Sequence, residues 1–442
     1  MTSENNNFHQ PTKKETLAIK QAERVRRIAY FRQRLPELSP KWWVVIGEAA
    51  SIAVLFLTNF LLLNRFFGHE DTVNLFSAPV IPLLASFTEA FIPFSYGVRL
   101  WLLVFFIFFP LTFYYFVKEI SGRKLAGLIS AFIVILPVGI FLPLRINLGL
   151  LSEDGAHIVS LAFVPIVCLL LLRFLRHGNF WAGILSALGT TLVALTSPLG
   201  FVILTIFLGI MTFSEMLLGQ GRIKAIRFGV VLALTMGFSA FWYNPKFVIL
   251  TLQSSQGQLV KGTLANLLPV SFFLLPLLGI FGFLLFENRP QLQPIFIAFF
   301  LTVCFGLFSL GAGIAHPAPS RFLPAFGVSL AFLIGILAVM LFDFLRLSPK
   351  LKRFKLQAIY RRVIAYSFIG LLFGLMGMII GFQIRNIWEL DRVQVLGLIT
   401  EQRVGIWEIR EQTSPLENIF GITITGLSIA SAGLIQRKIK KT

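Results

Sequence analysis

Long apolar segments alternate with short polar segments from residue 42 to residue 435, whereas residues 1–41 are mainly polar. A window of about 19 residues, the length of a membrane-crossing helix, detects twelve apolar segments. They span roughly 42–63, 98–117, 125–143, 158–175, 180–195, 199–217, 228–249, 264–286, 294–314, 322–345, 363–382 and 416–435. The pattern predicts an all-α fold, a polytopic transmembrane helix bundle of about twelve spans.

Prolines indicate where these helices should break. The region 75–97 is apolar but contains three prolines, so we expect an interfacial or re-entrant segment there. A thirteenth span is the alternative, and it would invert the topology of every later segment. Between the fifth and sixth spans, Pro198 cannot continue a helical hydrogen-bond ladder, so residues 195–200 predict a tight turn.

The distribution of lysine and arginine sets the orientation. The chain has 39 of these residues against 20 Asp and Glu, a net charge of +19. With the N-terminus in the cytoplasm, 29 of the 39 fall on the cytoplasmic side of the twelve segments. Cytoplasmic loops carry such an excess, so we predict that both termini are cytoplasmic. The basic surplus is then a topology signal, and no soluble segment is long enough for a nucleic-acid-binding domain.

The composition assigns the chain to the membrane. Apolar residues make up 56% and charged residues 13%, about half the charged fraction of a soluble protein. We expect a cytoplasmic segment over 1–41, a transmembrane domain over 42–435 and a basic cytoplasmic tail over 436–442. Residues 15–35 predict a basic amphipathic helix, with a solvated charged tail as the alternative. No apolar stretch precedes a small-residue cleavage site, so we expect a multi-pass protein of the cytoplasmic (inner) membrane with no cleaved signal peptide.

Candidate chemistry is concentrated on the predicted outer side, which holds 11 of the 20 acidic residues. The outer loops are 64–97, 144–157 and 383–415. In the first, Glu70 and Asp71 follow His69 just beyond the first span. A carboxylate there could act as a general base or bind a metal. The alternative is a polar helix end in the lipid headgroup region.

The second outer loop contains Glu153, Asp154 and His157. If a helix begins there, each carboxylate lies three or four residues before the histidine, on one helix face. That face could hold a metal, a proton relay or a sugar. The alternative is a helix N-cap whose carboxylates face the helix dipole.

Several cations could bind phosphate at the outer interface. Arg321 follows His316 at the predicted outer start of a helix, where a guanidinium can bind a phosphate bidentately. A snorkelling interfacial arginine is the alternative. Arg145, Lys246 and Lys261 are further candidates on the same side.

The sequence lacks the motifs that are typical of several other enzyme classes. The sequence has no nucleotide-binding P-loop, no HExxH zinc motif and no GxSxG nucleophile motif. Two acids lie within apolar segments, Glu48 and Glu215, but both are near predicted cytoplasmic helix ends. We therefore interpret them as interfacial and not as ion-coupling residues.

Four short motifs, taken in order, resemble the GT-C class of integral-membrane glycosyltransferases. The similarity covers about residues 42–345 and is to bacterial GT-C-like proteins named for a 6-pyruvoyl-tetrahydropterin-synthase-related membrane region. The motifs are Asp154-Gly155-Ala156-His157, Ala194-Leu195-Thr196-Ser197-Pro198, Gly237-Phe238-Ser239-Ala240-Phe241-Trp242-Tyr243-Asn244-Pro245 and Ser320-Arg321-Phe322-Leu323-Pro324.

The resemblance implies a sugar transfer on the outer face, from a polyprenyl-phosphate carrier to a lipid or glycan acceptor. It implies that Asp71, with Glu70 beside it, is the catalytic base or a metal ligand, and that Asp154 or Glu153 is a second acid. A divalent metal at Asp71 and Asp154 is a possible cofactor. The acidic motif differs from a D-x-D or D-E pair, and no large outer domain is present.

Two other classes remain open. One is a lipid or polysaccharide transporter or flippase, for which a central polar cavity between pseudo-symmetric halves would be evidence. The other is a non-catalytic GT-C-like membrane scaffold. Under the glycosyltransferase interpretation, the partners are a lipid-linked sugar donor and membrane lipids, and the phosphate-binding residues are Arg321, His316 and Arg145.

Overall fold

The structure is a computed structural model, and it describes residues 42–68, 78–91, 97–151, 155–253, 258, 280, 282, 290–310, 319–347, 358–388 and 412–439. The predicted N-terminal amphipathic helix and most of the loop 383–415 lie outside these residues. The chain divides into two compact units, residues 1–49 and 50–442. Of the first, only residues 42–49 are described, as the opening turns of a helix. The remaining description concerns the second unit.

All regular secondary structure within the described residues is helical. The α-helices are α1 (Trp42–Leu63), α2 (Val80–Phe91), α3 (Gly97–Ser121), α4 (Lys124–Val134), α5 (Leu142–Ile146), α6 (Gly155–His177), α7 (Phe180–Thr196), α8 (Pro198–Leu217), α9 (Gly221–Ser239), α10 (Pro245–Gln253), α11 (Gln293–Leu310), α12 (Leu323–Leu347), α13 (Ala358–Trp388) and α14 (Pro415–Ile439). Short 3-10 turns cover Asn64–Gly68, Pro290–Leu292 and Pro319–Phe322, and a π turn covers Asn147–Leu151. The all-helical prediction is confirmed for these residues.

Six of the described helices are long and apolar enough to cross a membrane. They are Val45–Phe67, Gly97–Ser121, Gly155–His177, Pro198–Leu217, Leu323–Arg346 and Val363–Trp388. Four shorter apolar helices accompany them: Val80–Phe91, Lys124–Val134, Phe180–Thr196 and Gln293–Ser309. This set indicates a multi-pass helical membrane protein.

The proline-dependent features of the sequence appear in the helix boundaries. Helix α7 ends at Thr196, and the Ser197 hydroxyl accepts a hydrogen bond from the Gly200 N–H at 3.2 Å. Helix α8 then begins with Pro198, where a missing N–H costs nothing. Pro79 precedes the 12-residue helix α2, and Pro82 lies in its first turn. This helix is about 18 Å long and so too short to cross the hydrocarbon core.

Two predicted spans are interrupted. Instead of a continuous span over 125–143, α4 stops at Val134, and the chain turns before Pro137 and again at Gly139, where φ is +53°. Proline disfavours the helical conformation of the residue before it, which ends the helix. Instead of a span over 228–249, α9 stops at Ser239 and α10 starts at Pro245.

Helix α6 occupies the middle of the packed helices and contacts α3, α7, α8 and α9. An aromatic cluster of Phe113, Phe116 and Phe332 packs beside it, with ring centroids 5.4–6.5 Å apart. The void in this region has a volume of about 10 Å³ and only apolar lining residues, which is too small and too apolar to hold ordered water.

Helices α6 to α9 run in alternating directions. Arg176 near the end of α6 contacts Glu215 near the end of α8, and Lys224 near the start of α9 contacts the same carboxylate. These residues define the predicted cytoplasmic end. His157 at the start of α6 contacts Arg321 just before α12, and these two define the predicted outer end.

Candidate functional site

His157 and Arg321 meet at the predicted outer end, although 164 residues separate them in sequence. His157 lies in the first turn of α6 and is only 1% exposed. Its Nε2 is 2.9 Å from the backbone oxygen of Arg321. A carbonyl oxygen can only accept, so this geometry assigns the proton to Nε2. The second outer loop and the helix start at Arg321 are therefore held together.

Arg321 lies in the 3-10 turn Pro319–Phe322, directly before α12 begins at Leu323. Its position at a helix start is the one expected from the sequence. The hydrogen bond from His157 uses the backbone of Arg321, so it fixes where the residue lies without using the guanidinium. Phe322, the next residue, is 3% exposed and packs on Phe308 of α11 with ring centroids 5.3 Å apart.

A second arginine at this end was missed by the sequence interpretation. Arg99 lies in the first turn of α3 and is 6% exposed. Its Nη2 donates to the backbone oxygen of Leu150 at 3.2 Å, in the π turn that leads towards α6. A charged residue within the first turn of an apolar helix is the only sequence signal for it. Arg99 ties α3 to the second outer loop.

Arg145 is buried rather than displayed at the interface. It is 3% exposed. Its Nη2 donates to the backbone oxygen of Val134, the last residue of α4, at 2.7 Å. The guanidinium lies over the Phe109 ring, 4.7 Å from the centroid. Burial lowers the pKa of Arg145 to about 9, so the side chain stays protonated at neutral pH. In this geometry Arg145 closes the interrupted end of α4, and a phosphate would have to compete with these contacts.

The start of α6 is tightly packed. A Cβ added to Gly155 would lie 2.7 Å from Leu102 Cδ1 and 2.9 Å from the Gly149 oxygen. A Cβ added to Gly149 would lie 2.6 Å from the Phe106 ring. Two glycines therefore let the second outer loop approach α3 closely. Ser160, one turn further along α6, donates to the His157 oxygen at 2.5 Å.

The predicted acids lie outside the described residues. These are Glu70, Asp71, Glu153 and Asp154, together with the predicted phosphate ligand His316. Among the residues that the structure describes, no group of three or more His, Cys, Asp or Glu side chains could hold a metal ion. The predicted metal ligands Asp71 and Asp154 lie outside that part of the chain.

A second charged cluster lies at the predicted cytoplasmic end. The carboxylate of Glu215 is fully buried, 2.7 Å from Arg176 and 3.0 Å from Lys224. Gln293, at the start of α11, donates to the same carboxylate at 2.8 Å. Lys224 also donates to the Glu215 backbone oxygen at 2.6 Å. The cluster joins α6, α8, α9 and α11, so Glu215 is a buried ionic centre and not the interfacial acid that the sequence indicated.

Comparison of the chain with protein-family models, with curated proteins and with solved structures finds no match.

Proposed function

We propose that the protein is a GT-C-like glycosyltransferase of the cytoplasmic membrane that transfers a sugar from a polyprenyl-phosphate carrier to a lipid or glycan acceptor on the outer face. The proposal includes twelve spans with both termini in the cytoplasm. The observation that carries it is the hydrogen bond between His157 and Arg321, because it joins two of the motifs on which the resemblance rests.

The proposed chemistry divides into phosphate binding and proton transfer. Arg321 binds the donor phosphate, and its place at a helix start adds the favourable end of the helix dipole. Asp71 takes the proton of the acceptor hydroxyl as general base, with Asp154 as its partner. His157 positions Arg321 through its backbone. No step is derived through a metal, and activity in the presence of a chelator would determine whether one is needed.

Two observations favour an enzyme over an alternating-access transporter. The buried cluster around Glu215 joins four helices at the predicted cytoplasmic end, and an inward-open state would have to separate at least some of them. Among the described residues, the void beside α6 has a volume of about 10 Å³ and only apolar lining, whereas a sugar or ion pathway needs polar lining.

The test is sugar transfer in membrane vesicles that contain the full chain. Labelled polyprenyl-phosphate sugars are supplied as donors, and label in endogenous lipid and glycan acceptors is measured beside donor uptake. The proposal predicts transfer without net transport of the donor. Uptake without transfer would support the transporter, and neither activity with any donor would support the scaffold.

A further inference from the structure

A groove lies between the N-terminal ends of α10 and α14, at the predicted outer end. Its volume is about 290 Å³. Its lining residues come from both helices: Pro245, Lys246, Leu416, Glu417 and Phe420. A groove of this size accommodates a small polar headgroup and the beginning of an acyl chain.

The two walls are joined by residues next to the lining residues in sequence. Asn244, which is fully buried, donates from Nδ2 to Asn418 Oδ1 at 2.9 Å. The Asn244 Oδ1 in turn accepts from the Phe247 N–H at 2.8 Å and so caps α10. Gly421 packs directly on the Ala240 oxygen, where a Cβ would collide with it. These contacts hold the walls in place, so the groove is preformed.

The two walls of the groove carry side chains of opposite charge. Lys246 comes from α10 and Glu417 from α14, and the structure gives no ion pair between these two described side chains. Glu417 Oε2 accepts the Ser414 N–H at 2.7 Å, as the acid of a capping box. That contact holds the carboxylate in position and leaves Oε1 available for a ligand. Leu416 and Phe420 are 77% and 58% exposed, which adds an apolar surface beside the charges.

We propose that this groove binds a phospholipid whose headgroup is phosphoethanolamine. The lipid phosphate contacts the Lys246 ammonium, the lipid ammonium contacts the Glu417 carboxylate, and an acyl chain lies along Leu416 and Phe420. A phosphate without an amine would leave Glu417 next to a like charge, which disfavours a purely anionic lipid. The inference depends on insertion in a membrane and not on the proposed glycosyl transfer.

The experiment measures which lipids remain bound to the full chain. The protein is reconstituted in nanodiscs with equal fractions of phosphatidylethanolamine, phosphatidylglycerol and phosphatidylcholine, released, and analysed by native mass spectrometry. Wild type should be enriched in phosphatidylethanolamine over both other lipids. Phosphatidylcholine is the informative comparison because its quaternary ammonium cannot donate a hydrogen bond to Glu417.

Two charge variants and one control make the test specific. Lys246→Gln should lower bound phosphatidylethanolamine about tenfold, the scale for losing a charge-assisted hydrogen bond. Glu417→Gln can still accept the Ser414 N–H, and it should abolish the preference over phosphatidylglycerol. Arg385→Gln removes an exposed cation near the end of α13 and should change neither quantity.

Three results would overturn the proposal. The first is no enrichment of phosphatidylethanolamine in wild type. The second is an equal loss in Arg385→Gln, which would indicate a general surface-charge effect. The third is displacement of the lipid by an equal concentration of soluble glycerophosphoethanolamine, which would identify a free phosphate ester as the ligand. Failure of sugar transfer would leave the lipid measurement unaffected, so the two proposals fail separately.

Discussion

Single residues at the predicted outer end have separable roles, and Arg321 provides the clearest case. Its backbone accepts from His157, and every replacement keeps that carbonyl. Arg321→Ala should therefore keep this hydrogen bond and raise the KM for the donor by about tenfold or more, since hydrogen bonds to charged groups contribute about 1.5–3 kcal/mol. Arg321→Lys should restore only part of the loss, because a point charge cannot replace a bidentate guanidinium. An unchanged KM in both variants would exclude phosphate binding by Arg321.

The glycine at the start of α6 is predicted to be required for packing. Gly155→Ala places a Cβ 2.7 Å from Leu102 and 2.9 Å from a backbone oxygen, and overpacking of this kind costs about 1–3 kcal/mol. The melting temperature in detergent should fall. Gly370→Ala is the matched control, because a Cβ there meets no described atom within 4 Å. The control should be neutral or slightly stabilising, and equal effects in the two variants would contradict the packing argument.

The sequence could predict some of these residues but not their partners. A proline-rich segment ahead of an apolar helix indicated that Arg321 begins a helix. Its contact with His157 could not be predicted, because it depends on how α6 and α12 pack across 164 residues of sequence. For Arg145 the sequence indicated an exposed cation, whereas packing against Phe109 and the end of α4 buries it.

At the scale of helices, the buried cluster around Glu215 should dominate stability at the predicted cytoplasmic end. Glu215→Gln leaves the charges of Arg176 and Lys224 without their shared carboxylate. Removing one partner of a buried ionic cluster costs about 3–5 kcal/mol, so the variant should melt at a clearly lower temperature. Size-exclusion chromatography after a heating series provides the measurement.

The control for this variant is Glu119→Gln. Glu119 lies 4.0 Å from Arg173, and both side chains are about half exposed, at 45% and 56%. Exposed pairs contribute about 0–1 kcal/mol, so this change should hardly move the melting temperature. If the two variants were equally stable, the Glu215 cluster would not hold the four helices together.

Helix boundaries were predicted well where proline or a cap determined them, and poorly where hydropathy alone was used. The turn at Ser197 and Pro198 follows from local chemistry, and the structure contains it. The break after Val134 was missed because an averaging window records apolar content and ignores Pro137. A single proline changes the average hydropathy of the window too little to mark the end of a helix. Glu215 was misjudged for a different reason, since a position near a helix end does not reveal which other helices surround it.

For the molecule as a whole, the predicted orientation rests on the distribution of basic residues. The contacts agree with alternating helices, because the ends of α6 and α8 meet the starts of α9 and α11 around one carboxylate. In a cysteine-free background, cysteines introduced at Ser152 and Gln402 should react with an impermeant reagent applied from outside. A cysteine at Gln357 should react only after the membrane is permeabilised. Labelling of Gln357 from outside would overturn the twelve-span orientation.

The overall helical class was predictable because lipid imposes it on a chain that is 56% apolar. The proposed functional site is less constrained by such general rules. It depends on a few outer-loop carboxylates whose roles follow from a resemblance, and on an arginine and a histidine whose contact only the fold provides.

Glycosyl transfer is tested most directly with purified protein in proteoliposomes, with a polyprenyl-phosphate sugar and a lipid acceptor supplied on the accessible outer face. Wild type should transfer the sugar, and Asp71→Asn should lose about 100-fold or more of this activity, the scale for losing a general base, with an unchanged melting temperature. Glu89→Gln, which removes an exposed acid from α2, should retain full activity. No transfer by wild type with any donor would contradict the proposed glycosyltransferase activity, and undiminished transfer by Asp71→Asn would contradict the role of Asp71 as the base.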